Sequence, residues 1–146
     1  MVYIIKEEQK MYKKLALMFG LVFILVGIMG FIPALSPRHA DGMRYLLGLF
    51  MVGGVHNAIH LLSGIGAVVG GLTSEKYAQL YFRLFGSVYG LVTIIGFIQK
   101  TTVLGIFDVN RADNFLHLAL ALVILAIGFG LKVGSGPTKT SRHATA

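Results

Sequence analysis

Four apolar stretches, at 15–33, 53–72, 78–98 and 113–131, constrain the chain more than any other feature. A hydrocarbon core of roughly 30 Å is crossed by about 20 helical residues, and each stretch is close to that length. Lipid cannot satisfy an open backbone, so such stretches cross as helices packed on one another. The expected fold class is all-α: a four-transmembrane-helix bundle in the lipid bilayer. Composition agrees, with 55% hydrophobic and only 13% charged residues in 146. A soluble domain of that make-up lacks the polar residues to cover its surface.

The basic residues orient the bundle. Lys6, Lys10, Lys13, Lys14, Lys76, Arg83, Lys132, Lys139 and Arg142 fall on one side, and only Arg38, Arg44, Lys100 and Arg111 on the other. Nine against four places the first side, with both termini, in the cytoplasm. The +7 formal charge is spread along the span ends rather than gathered into a patch, so it does not indicate nucleic acid. Arg83, about one turn inside the third span, is expected to snorkel to the headgroups. Residues 1–133 form the membrane domain in this reading, and 134–146 a flexible cytoplasmic tail.

The chain also repeats itself. At an offset of 66, Phe19-Gly20-Leu21-Val22-Phe23 meets Phe85-Gly86-Ser87-Val88-Tyr89, and Gly30-Phe31-Ile32 meets Gly96-Phe97-Ile98. The first span therefore matches the third and is not expected to be a cleaved signal peptide. At an offset of 57, Leu46-Leu47-Gly48-Leu49-Phe50 meets Val103-Leu104-Gly105-Ile106-Phe107, and His56-Asn57-Ala58-Ile59-His60-Leu61 meets Asp113-Asn114-Phe115-Leu116-His117-Leu118. Two tandem hairpins of the same orientation follow, related by a pseudo-twofold axis along the membrane normal. The segments 46–50 and 103–107 are too short to span and are expected to cap the bundle at its outer interface.

The repeat carries the polar residues with chemical potential. His56 and His60 are four apart and share a helix face, as do Asp113 and His117. Matching depth in the two hairpins would bring all four together near the outer leaflet. Three imidazoles and a carboxylate make a set suited to Zn²⁺ or another first-row metal ion. His60 and His117 alone would serve as axial ligands to haem, or each to a chlorophyll-type pigment. A purely structural role is equally open: Asp113 caps a helix start, and the histidines bond across the helix pair.

No nucleophile triad, phosphate-binding loop or nucleotide fingerprint is present, and the absence of cysteine excludes thiolate chemistry. The expected function is non-catalytic metal binding, with an accessory subunit of a larger membrane complex, or a homo-oligomer, as the alternative. His39 in the long outer loop and His143 in the tail are expected to be solvated. Ser63 and Thr93 are expected to bond to their own helix backbones, and Asp108 to pair with Arg111.

The pattern Leu47-Gly48-Leu49-Phe50, His56-Asn57, His60-Leu61-Leu62, Gly64, with its partner Leu104-Gly105-Ile106-Phe107, Asp113-Asn114, His117-Leu118, resembles a bacterial family of four-span membrane proteins known only as a domain of unknown function. The resemblance covers roughly residues 15–131. It implies the four-helix fold, a bacterial origin, with the inner membrane as the expected location, and a special interest in His60 and His117, but no activity.

Overall fold

The computed structural model describes residues 2–130. Among them four long helices run in chain order: α1 (Val2–Phe31), α2 (Gly54–Thr73), α3 (Glu75–Gln99) and α4 (Arg111–Gly130). Each contains a segment long and apolar enough to cross a membrane, beginning at Met11 in α1. The tail from 131, with His143, Lys132, Lys139 and Arg142, lies outside the described residues.

The bundle carries large apolar side chains on its outside, as lipid contact demands. Leu21, Leu62, Leu84, Leu91 and Leu122 are all exposed, while His56, Asn57, His60, Asp113, Asn114 and His117 are buried. A soluble fold would sort these residues the other way.

The helices pack as two tight pairs, α1 with α2 and α3 with α4, and more loosely between pairs. Glycine sets the closeness. A Cβ on Gly20 would meet the Gly64 carbonyl oxygen at 2.8 Å, and one on Gly86 would meet Ile124 at 3.0 Å. Buried Asn57 lies against Gly30, where a Cβ would overlap its side-chain amide. In the second pair Asn114 stands against Gly96, and its Nδ2 donates to the Gly96 carbonyl at 3.0 Å. Small residues thus let each helix pair close, and an asparagine fills the gap near the start of its second helix. Between the pairs sits a core of Tyr12, Phe23, Tyr81, Phe82, Tyr89 and Ile124, with Phe19 edge-on to Phe82 at 5.5 Å.

The connections at the end of the bundle away from the α2–α3 turn are β-hairpins, a detail missing from the all-helical expectation. β1 (Arg44–Leu46) pairs with β2 (Phe50–Val52), and β3 (Thr102–Val103) with β4 (Phe107–Asp108), both antiparallel. Each turns at a Leu-Gly pair with positive φ: Leu47 at 52° and Gly48 at 71°, Leu104 at 54° and Gly105 at 69°. Two successive positive φ values are the signature of a type I′ turn, whose twist suits tight hairpins. The first loop is longer. Within it Tyr45 donates to Asp41 Oδ2 at 2.7 Å and the Met43 amide to Oδ1 at 2.9 Å, holding the Asp41 carboxyl below its usual range. His39 packs tilted against Tyr45, ring centroids 4.7 Å apart.

Each hairpin reaches across to the other half. The Met51 amide in β2 donates to Asp113 Oδ2 of α4 at 3.1 Å, and Phe107 of β4 lies 5.1 Å from the His56 ring of α2. The caps therefore tie the halves together over the buried polar cluster.

Candidate metal centre

His56 and His60 stand one turn apart on the inner face of α2, and His117 faces them from α4. Ring centroids are 4.7 Å apart for His56–His60, 5.6 Å for His56–His117 and 6.4 Å for His60–His117. One nitrogen from each lies within 4.8 Å of the other two. All three rings are more than nine-tenths buried. This three-imidazole cluster is able to coordinate a metal ion.

Hydrogen bonding leaves four of the six ring nitrogens unengaged. Both nitrogens of His56 and the Nδ1 atoms of His60 and His117 are buried with no hydrogen-bond partner. Backbone groups of Met51 and Asp108 come near His56 but complete no hydrogen bond with it. The expectation that histidines bond directly across the helix pair is not met. An unsatisfied buried donor or acceptor costs about 1–3 kcal/mol, so several in one place indicate a missing partner.

Asp113, the fourth residue of the expected set, stands apart from the three nitrogens. Its Oδ2 accepts from the Asn110 amide at 2.8 Å as well as from Met51, while Asn110 Oδ1 accepts from the Asp113 amide at 2.9 Å. This reciprocal arrangement caps α4 in the manner of a capping box. Asn110 Nδ2 also donates to the Leu49 carbonyl at 2.7 Å. Asp113 nonetheless lines a cavity of about 130 Å³ with all three histidines, closed by Phe50, Leu46 and Met29.

A second cavity of about 280 Å³ adjoins the histidines on the α2–α3 side. It brings in two polar residues that sequence reasoning did not assign to the site. Tyr89 lies 5.7 Å from the His117 ring and its hydroxyl donates to Ser63 Oγ at 3.4 Å. Ser63 therefore faces the site rather than its own helix backbone, whereas Thr93 does bond to its own helix, donating to the Tyr89 carbonyl at 2.7 Å. The signal for Tyr89 was available in the repeat: it aligns with Phe23, which packs on His60 at 5.8 Å.

Two outlying expectations change. Arg83 Nε donates to the Gly128 carbonyl at 2.9 Å, with its guanidinium 5.1 Å from the centre of the Phe129 ring, so it caps the end of α4 as well as lying at the bundle surface. Arg111 faces the Phe115 ring at 5.9 Å, and no ion pair joins it to Asp108.

Comparison with curated proteins gave no match, and comparison with solved structures gave none. A family model does match, over residues 13–130, which take in all but the first two residues of the four spanning segments and every residue of the cluster. By that match the chain belongs to the DUF4383 family, described as a domain of unknown function.

Proposed function

We propose that this protein is a non-catalytic membrane metal-binding protein in which His56, His60 and His117 hold one transition metal ion, Zn²⁺ foremost. The observation that carries this reading is the convergence of three buried imidazoles, four of whose six ring nitrogens are buried with no hydrogen-bond partner. A tetrahedral ion with Zn–N of about 2.0–2.1 Å places its nitrogens roughly 3.3 Å apart. Nitrogens already within 4.8 Å reach that spacing by small side-chain rotations. Asp113, held on its backbone amides in the shared cavity, offsets one of the ion's two charges as a distant counter-charge.

The same geometry favours an ion over a tetrapyrrole. A flat macrocycle lies between its two axial rings, and His56 stands beside both His60 and His117 where the disc would extend. In this reading the site lies near the outer leaflet of a bacterial inner membrane. Both termini are cytoplasmic. These placements rest on the charge asymmetry of the loops.

The test is metal analysis with an absorption spectrum on natively purified protein, for wild type and His60→Ala. About one equivalent of zinc without a Soret or chlorophyll-type band is expected in wild type. His60→Ala should lose it while keeping its helical circular dichroism. A wild type that contains no metal and takes up none on incubation with zinc would sink the proposal. It would also favour an accessory subunit of a larger complex.

A further inference from the structure

We propose that the fourth coordination position of this site binds the head of a medium-chain carboxylate that enters from the lipid phase, its alkyl chain lying in the cavity between α2 and α3. The inference rests on the metal reading above and extends it to the ligand.

The cavity has the right position and chemistry. It holds about 280 Å³, and its inner end is formed by His56, His60 and His117. That is just under the roughly 300 Å³ at which small-molecule pockets begin. Away from the histidines its walls are Ile59, Phe85, Val88 and Val92, all apolar. Val88 is also 47% exposed on the lipid-facing surface, so the cavity opens sideways rather than to water. It lies in the seam between the two tight helix pairs, where packing is loosest. A further cavity of about 350 Å³ continues down the same seam past Gly66 and Gly70, and the Phe85 ring borders both.

Charge selects the head group. Three neutral imidazoles leave a divalent ion uncompensated in a low-dielectric setting, and Asp113 offsets only one unit. An anionic oxygen donor at the open position supplies the remainder. Tyr89 and Ser63 line the same cavity as the three histidines and offer hydroxyls to the second oxygen of a carboxylate. Their mutual hydrogen bond is long at 3.4 Å, so the Tyr89 hydroxyl exchanges it at little loss for a charge-assisted one. A neutral lipid would not meet the charge, and a short carboxylate would leave the apolar walls unfilled.

The test uses Co²⁺-loaded full-length protein in detergent, titrated with decanoate and with acetate while the visible ligand-field bands are followed. Decanoate should saturate the spectral change at about 200-fold lower concentration, the effect of burying roughly four methylenes. Val88→Trp, which fills the cavity mouth, should remove that advantage while cobalt uptake and the acetate response persist. Because micelles concentrate decanoate equally for both proteins, the difference between them isolates the cavity. The proposal is overturned if decanoate and acetate act alike on wild type. It is equally overturned if a folded, cobalt-loaded Val88→Trp, or Val92→Trp should the first not fold, keeps the full preference. Failure of wild type to take up cobalt would instead overturn the metal reading beneath it.

Discussion

The two halves of the bundle share a plan and differ where their second helices begin. In the second half Asn110 and Asp113 cap α4 reciprocally. The equivalent positions in the first half are Gly53 and His56, and Gly53 makes no side-chain cap to α2. One repeat therefore uses its helix start for stability, and the other leaves it free. His56 is the residue set free, and it is the third nitrogen of the cluster. Deeper in, the halves agree again: His60 and His117 face each other, backed by Phe23 and Tyr89 at nearly equal distances of 5.8 and 5.7 Å. The site thus arises from a symmetric pair of histidines plus one departure from symmetry.

Erasing that departure should have the largest effect. Gly53→Asn with His56→Asp copies the second repeat into the first. It is expected to weaken zinc binding by about 100-fold or more, through loss of a direct ligand, while a new cap stabilises α2 by about 1 kcal/mol. Competition with a chromophoric chelator measures the first, and unfolding in mixed micelles the second. Retained affinity would mean that His60 and His117 suffice.

The asparagine–glycine contacts sharpen the comparison where the halves agree. Gly30→Ala and Gly96→Ala both drive a methyl into an asparagine side chain, and each should cost about 1–3 kcal/mol. Gly90→Ala, where a Cβ meets nothing within 4 Å, should be close to neutral. A large difference between the first two, measured by the same unfolding assay, would show that one hairpin relaxes more readily than its counterpart.

The smallest effect belongs to the turns. Leu47 and Leu104 hold φ near +50° and are exposed at 65% and 61%. Replacing either with glycine relieves left-handed strain of about 1–2 kcal/mol but adds freedom to the unfolded chain, for a net change under about 1 kcal/mol. Equal shifts in midpoint for the two variants are expected, and opposite signs would break the equivalence of the hairpins.

Much of this plan was legible in the residues. Span lengths, the two offsets and the His56/His60/His117 convergence follow from apolar periodicity and repetition. The β-hairpins were not, since strands of two or three residues carry no alternation, and Leu-Gly lacks the asparagine or aspartate that usually marks a type I′ turn. Spacing alone does not separate a carboxylate that ligates from one that is held on backbone amides at the cavity wall, so the sequence leaves the part played by Asp113 open. Asn110, three residues earlier, was the cue to its capping role. Ser63 and Tyr89 depend on which face of α3 meets α2, and that is decided by packing across the loose seam rather than within either repeat.

The unequal tightness of the helix contacts has a consequence for biogenesis. A hairpin that closes on its own glycines can enter the bilayer as a unit, and the second can follow as another. His56 and His60 arrive with the first and His117 with the second, so the cluster exists only after the two units meet. An ion captured there would act as a late latch, slowing their separation, and its occupancy would count finished molecules among those merely inserted.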